Sequence, residues 1–352
     1  MDKTKLLKKV KSLTLYTGTY GKKKCTCSCI GCTQENYGNK QADYQGTIEQ
    51  IKIIIEKLPN LEEVYILGNP DVSVDTQFCN LAAKEFIRNH KKVMFSTSGY
   101  HGIEVIKELT NGINSKDIGY ISYSVDTVEN KKLQILKGTK EIKIEEIDEA
   151  IRFGINHNIT IKIQPTLWEL NQDDYREIIE HYLKIGIKWF TFHAGSFEAL
   201  WKRNIILNHI KPEKWRKIVK DIDEIANKNK LKIKIPKIFL NDKEFRQYKT
   251  ESHPYCKNGG EGIQIWLQKD GIKATFCPIL AEVYPQYIFD LEREESNLLS
   301  SEKNTCAICG RCLDEKLRND SIHKDGREFY SKNEVLHNVC RYYSLVENGN
   351  LG

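Results

Sequence analysis

At 352 residues the chain can hold one large domain or two smaller ones, and its 40% hydrophobic and 29% charged residues are ordinary for a globular protein. No run of about 18 apolar residues offers a membrane span, and the lysine-rich segment Met1–Val10 lacks the apolar core of a signal peptide. The net charge of +6 fits a lysine-rich solvated surface, with attraction to an acidic substrate as the alternative; no helix-turn-helix, zinc-finger or RNP pattern points to nucleic acid.

The eleven cysteines, without a secretion signal, point to metal ligation and a cytoplasmic setting more than to disulfides. After a short basic arm over Asp2–Lys11, Ser12–Tyr20 reads as a first strand. It runs into Cys25-Thr26-Cys27-Ser28-Cys29-Ile30-Gly31-Cys32. As Cys-x3-Cys-x2-Cys, this loop supplies Cys25, Cys29 and Cys32. A cubane iron–sulfur cluster takes four ligands, so three thiolates leave one iron open for chemistry. Cys27 adds a spacing that also suits a zinc knuckle. Lys22–Lys24 would lower the thiolate pKa values and favour a net-negative cluster.

Helices and strands then alternate. Thr47–Lys57 has the period of a helix (Ile48, Ile51, Ile54, Ile55) with Thr47 as its cap. Strand Glu63–Leu67 leads into Gly68-Asn69-Pro70-Asp71, which by itself is an Asn-Pro turn. Helix Asp75–Asn89 contains Cys79, whose default reading is a small buried side chain. Strand Lys92–Ser96, helix Gly102–Leu109 and strand Gly119–Val125 follow, the last ending at Ser124 and Asp126. Helix Ile144–Phe153, strand Ile159–Gln164, helix Asp173–Ile185 with Gly186 as its stop, strand Trp189–His193 and helix Pro212–Asn227 complete the series. Near Leu231–Ile238 the alternation stops. Strands alternating with helices imply a parallel sheet with right-handed crossovers. The distinctive residues fall at strand carboxyl ends, where such folds carry their sites.

The Cys25–Cys29–Cys32 motif after a first strand resembles that of the radical S-adenosylmethionine (SAM) superfamily. The resemblance implies a partial (β/α)6 TIM-like barrel over residues 1–235. It also implies a [4Fe–4S] cluster held by three Cys whose open iron binds SAM, and cleavage of SAM to a 5′-deoxyadenosyl radical. Gly68, Asn69 and Pro70 stand where the family has Gly-Gly-Glu-Pro beside the SAM amino group; Asn69 replaces the acid, and its amide carbonyl can still accept a hydrogen bond. Asp71 is an alternative acceptor. Ser124-Val125-Asp126 resembles the family's Ser-x-Asp near the SAM ribose and carboxylate. Asp126 as a helix cap is the plain alternative. Gln164 is grouped with the cofactor contacts. Position 31, usually aromatic and near adenine, is Gly31 here.

The remaining cysteines are Cys256, Cys277, Cys306, Cys309, Cys312 and Cys340. Cys277 follows an expected hairpin, Ile263–Leu267 and Ile272–Phe276, turned by Asp270-Gly271. This set is similar to the SPASM/twitch extension, which implies a smaller auxiliary-cluster domain over 236–352. The spacings depart from the family's, and one of its seven cysteines is missing. Six ligands fill one auxiliary [4Fe–4S] cluster; two clusters with one incompletely ligated, or a zinc site, are the alternatives. His253, His323 and His337 are possible further ligands.

SPASM-like enzymes act mostly on peptides, so the resemblance implies peptide or protein modification by crosslinking, thioether formation, epimerisation or oxidation. The short N-terminus leaves no room for a separate leader-binding domain, which counts against a peptide. The alternatives are a small-molecule substrate (sugar, nucleoside or alcohol) and a non-catalytic zinc-binding protein. A flavodoxin or ferredoxin would supply the electron. Cys79 and Cys27 as hydrogen donors, with Tyr100, His101 and His193, are weak candidates for facing substrate; Trp168 and Trp201 are candidates for the barrel mouth.

Overall fold

The computed structural model describes residues 7–17, 25, 27–30, 44–68, 71–195, 210–236, 240, 244, 247–252, 261–268, 271–276 and 288–293. The strands are β1 (Ser12–Tyr16), β2 (Glu63–Ile66), β3 (Lys92–Thr97), β4 (Ile118–Tyr123), β5 (Ile161–Ile163), β6 (Thr166–Leu167), β7 (Trp189–Thr191), β8 (His193–Ala194), β9 (Lys232–Ile235), β10 (Glu251–Ser252), β11 (Gly262–Gln268), β12 (Gly271–Thr275) and β13 (Phe289–Asp290). The helices are α1 (Tyr44–Lys57), α2 (Thr76–Arg88), α3 (Gly102–Thr110), α4 (Asn130–Lys137), α5 (Ile144–Asn156), α6 (Tyr175–Ile185) and α7 (Pro212–Asn229). Among the described residues no helix is long and apolar enough to cross a membrane.

One sheet runs in the order β10-β9-β7-β5-β4-β3-β2-β1-β11-β12-β13. All its pairings from β10 to β11 are parallel, and only the β11–β12–β13 end is antiparallel. The period of two along each strand separates two faces. Leu13, Leu15, Val64, Ile66, Val93, Phe95, Ile121, Ile161, Ile163 and Phe190 are all buried and in register with one another, forming the layer under the helices. Each such side chain stabilises the fold by about 1.5–3 kcal/mol relative to an exposed position. The opposite face carries rows of a different character: Thr14, Tyr65, Met94 and Tyr120, then Ser96, Ser122 and Lys162. This is the inner wall of the partial barrel, and it is polar and aromatic.

Three expectations need correction. Helix α1 begins at Tyr44, so Thr47 lies inside the helix and is not its cap. The alternation does not stop near Leu231. Lys232-Ile233-Lys234-Ile235 forms β9, parallel to β7, with both isoleucines buried and the lysines on the other side. The hairpin expected in the second domain extends the barrel sheet, because β11 pairs in parallel with β1 from Ser12↔Gly262 to Tyr16↔Trp266. Six of the seven β11 residues are buried, as a strand covered on both faces requires. The Tyr16 and Trp266 rings stack at 5.2 Å, and the Tyr16 hydroxyl donates to Gln264 Oε1 at 3.2 Å.

Candidate active site at the carboxyl ends of the strands

Within the loop after β1, the described stretch 27–30 is held by α4. Ser28 N donates to the Lys137 carbonyl at 2.9 Å, and Ile30 N to the Leu136 carbonyl at 3.0 Å. The Ile30 side chain packs against Leu136 and Trp168. Cys25, Cys27 and Cys29 are half-buried. The Cys27 thiol is pushed up to about 12, first by its hydrogen bond with Cys25 and then by burial, against a lowering contact from Cys29. Cys29 is pushed up by Cys27 and by burial, with the Lys137 charge opposing. The contacts run through Cys27, from Cys25 on one side to Cys29 on the other, and Cys29 lies near the buried Lys137 ammonium. Soft sulfur donors beside a buried cation suit a net-negative iron–sulfur group, whose binding would release the thiol protons. The third expected ligand, Cys32, lies outside the described residues, among which no group of three or more His, Cys, Asp or Glu is arranged to hold a metal ion.

After β2, Gly68 adopts φ +74; a Cβ there would come within 2.4 Å of the Asp71 backbone, so this turn requires glycine. Asn69 and Pro70 lie outside the described residues. Asp71 is used internally. Its Oδ2 accepts from Ser98 N at 2.6 Å, and its Oδ1 accepts from Thr97 Oγ1 at 3.2 Å and Ser73 N at 2.9 Å. It clamps the β2 loop to the end of β3, which explains why an acid follows the Gly-Asn-Pro turn.

The end of β4 supplies the most polar part of the site. Lys137, only 3% exposed, donates to Ser124 Oγ at 3.0 Å and pairs with Asp126 Oδ2 at 2.8 Å. Burial alone would lower the lysine's pKa; the charges of Asp126 and Cys29 outweigh it and raise the value above that of a free lysine. Asp126 Oδ1 accepts from Thr166 N at 2.7 Å. Asp126 is thus not a helix cap: Glu129 occupies that place on α4. An ammonium has three donors, and among the described residues Ser124 and Asp126 take two.

Gln164 follows β5, its N–H on the Tyr123 carbonyl at 2.8 Å. Its Oε1 accepts from the Tyr65 hydroxyl at 3.4 Å, and that hydroxyl lies 2.6 Å from Ser122 Oγ. Burial raises the Tyr65 pKa, so the phenol stays protonated. Beneath this chain of hydroxyls the Lys162 ammonium lies 4.2 Å from the Tyr120 ring centroid, 5.5 Å from Tyr65 and 5.7 Å from Trp189. A cation over three rings fills the barrel interior on this side.

The remaining expectations divide. His193 lies on β8, which pairs with β6 as a small second sheet above β5 and β7. Tyr100 is buried and its hydroxyl donates to Glu141, while His101 meets its ring edge-on at 3.9 Å between centroids. Cys79 is fully buried on α2 with its thiol 3.6 Å from Thr17 Oγ1. Its place is the helix–sheet core, so it does not face a substrate. Cys27, by contrast, is on the loop, 3.9 Å from Ser98 Oγ. Trp168 is buried against Gly195, where a Cβ would lie 2.3 Å from the indole. Trp201, His253, His323 and His337, with Cys256, Cys277, Cys306, Cys309, Cys312 and Cys340, lie outside the described residues. Sequence reasoning missed Lys137; the signal available was a lysine on the otherwise apolar side of α4 with Leu133 and Leu136, all three buried.

No protein-family model matches the chain, and no curated protein matches it in sequence. Solved structures do. Streptococcus suis SuiB superposes with a TM-score of 0.58 at 14% identity, over 97% of this chain and 75% of SuiB. SuiB bound to S-adenosylmethionine gives 0.55 at 13%, over 90% and 68%. Native anSMEcpe with bound AdoMet and the Cp18Cys peptide gives 0.58 at 13%, over 94% and 88%. The chain therefore has the fold of these SAM-binding structures, and the partial barrel expected from its resemblance to the radical SAM superfamily is the fold observed.

Proposed function

We propose that the protein is a radical SAM enzyme that modifies a peptide or protein. The observation that carries this is the convergence of the cysteine loop with Ser124, Asp126 and Lys137 at the carboxyl ends of parallel strands. Cys25, Cys29 and Cys32 would hold a [4Fe–4S] cluster. When bound, the cluster supplies the electron that cleaves SAM to methionine and a 5′-deoxyadenosyl radical, the species that removes hydrogen from substrate. The chain's own residues bind and orient. The Ser124 hydroxyl and Lys137 ammonium form a pair suited to the SAM carboxylate. Gly68, Asn69 and Pro70 are assigned to the SAM amino group, and Gln164 to the cofactor contacts. Tyr65, Tyr120, Trp189 and Lys162 fill the barrel below and keep water from the radical.

The peptide reading is supported by two of the similar structures, SuiB bound to the precursor peptide SuiA and anSMEcpe with Cp18Cys. The segment 236–352 would carry an auxiliary cluster on Cys256, Cys277, Cys306, Cys309, Cys312 and Cys340. Of that segment, β11, β12 and β13 are strands of the barrel sheet. The test is anaerobic: reconstituted protein with SAM and dithionite releases 5′-deoxyadenosine, and peptides carrying the unmodified target residue accelerate the release. Acceleration by free sugars, nucleosides or alcohols, with none by peptides, would reassign the substrate class.

A further inference from the structure

We propose that the C-terminal turn of α4, centred on Gly138, is the platform that sets the position of the cysteine loop, which makes Gly138 a positioning residue for the metal ligands; this rests on the reading that Cys25, Cys29 and Cys32 are those ligands. Gly138 closes α4 at φ +61, with its own N–H on the Ile135 carbonyl and that of Thr139 on the Gln134 carbonyl. A Cβ at this position would lie 2.1 Å from the Ser28 carbonyl oxygen and 2.7 Å from its carbon. Both obstacles are backbone, so no side-chain rotation relieves them, and the loop itself must move.

The comparison with Gly186 isolates this effect. Gly186 closes α6 at φ +99, also left-handed, and nothing lies within 4 Å of where its Cβ would be. Left-handed strain is common to both glycines; only Gly138 adds close backbone contact with the cysteine loop. Two hydrogen bonds, from Ser28 N to Lys137 and from Ile30 N to Leu136, bracket Cys29 on this turn. The Ile30 side chain adds an apolar anchor on Leu136 and Trp168. Lys137 joins the two halves of the site. Its carbonyl holds the cysteine loop and its ammonium holds Ser124 and Asp126. A displacement at residue 138 therefore moves Cys29 relative to the end of β4, and a cluster site tolerates shifts of only about 0.5 Å.

The test uses full-length, metal-free protein under reducing conditions. Iodoacetamide alkylation of each cysteine is followed by peptide mass spectrometry in wild type, Gly138→Ala and Gly186→Ala, with buried Cys79 as the internal reference for global unfolding. The expected result is an increase of about tenfold in Cys29 alkylation in Gly138→Ala, the effect of losing one docking hydrogen bond, with wild-type rates in Gly186→Ala and Cys79 slow throughout. Leu136→Ala, which removes the apolar anchor and leaves the backbone alone, should raise the Cys29 rate in the same direction; it decides the matter if Gly138→Ala does not fold. Equal Cys29 rates in the folded variants and the wild type would overturn the proposal. After reconstitution, Gly138→Ala should bind less iron and show a weaker SAM-induced change in the EPR spectrum of its reduced cluster than Gly186→Ala. A wild type that loads no cluster would instead count against the enzymatic reading, while the alkylation rates still decide the role of Gly138.

Discussion

Lys137→Met is the most informative single change outside the cysteine loop. The substitution keeps the length of the stem and removes the charge. The pair with Asp126 is 2.8 Å long, and the two side chains are 4% and 10% exposed. At an effective dielectric of about 20, the gross attraction at that separation is about 6 kcal/mol, most of it offset by the cost of burying the two ions. Removing one partner leaves Asp126 buried without its counterion, which costs about 3–5 kcal/mol. Asp126→Asn in the same chain removes the stranded charge and still lets the side-chain oxygen accept from Thr166 N. The double variant should therefore sit within about 1–2 kcal/mol of wild type, a coupling that a double-mutant cycle measures. Urea unfolding of the metal-free protein, followed by tryptophan fluorescence and far-UV circular dichroism, reads these differences directly. A Lys137→Met protein within about 1 kcal/mol of wild type, or a double variant no more stable than the single one, would refute the assignment of this pair as a buried, mutually dependent unit.

Other predictions address separate parts of the structure. Asp71→Ala removes three hydrogen bonds at the ends of β2 and β3 and should cost about 2–3 kcal/mol in urea unfolding. Trp266→Ala removes the ring stacked on Tyr16 and should cost about 3–5 kcal/mol; a loss below about 1 kcal/mol would show that β11 is not part of the barrel sheet. Burial, opposed by the hydrogen bond with Thr17, pushes Cys79 from its ordinary 9.0 up to about 12. A raised thiol contributes stability that is full below pH 9 and lost as pH climbs toward 12. Wild type should therefore lose about 2 kcal/mol more than Cys79→Ala between pH 8 and pH 10.5, at about 1.4 kcal/mol per pH unit above 9, and parallel curves for the two proteins would contradict the burial argument.

Much of this molecule was legible in its sequence because the signals were local. The alternation of Leu13 and Leu15, Val64 and Ile66, and Val93 and Phe95 with polar or aromatic neighbours marks strands of one parallel sheet, and the structure brings them into register. The cysteine loop was legible by type and spacing, the Gly68 turn and Ser124–Asp126 through their resemblance to family motifs, and their described residues fall at strand carboxyl ends. The failures were long-range. Nothing near Gly262 announces that β11 pairs with β1, 250 residues earlier. Asp71 had the chemistry of a ligand, and only the fold reveals that Ser98 N and the Thr97 hydroxyl occupy it. Cys79 shares a helical face with Ala82, Ala83 and Phe86, all buried, and that phase outweighs its thiol chemistry. Lys137 reads as one lysine among many until Asp126, eleven residues before it, is folded against it.

The central claim is tested most directly by quantifying 5′-deoxyadenosine. Protein reconstituted anaerobically with iron and sulfide is given SAM and dithionite, beside a variant in which Cys25, Cys29 and Cys32 are all alanine. Radical SAM chemistry at this site requires product from the wild type alone. Bound zinc in place of iron with no loss of SAM, or equal product from both proteins, would contradict it.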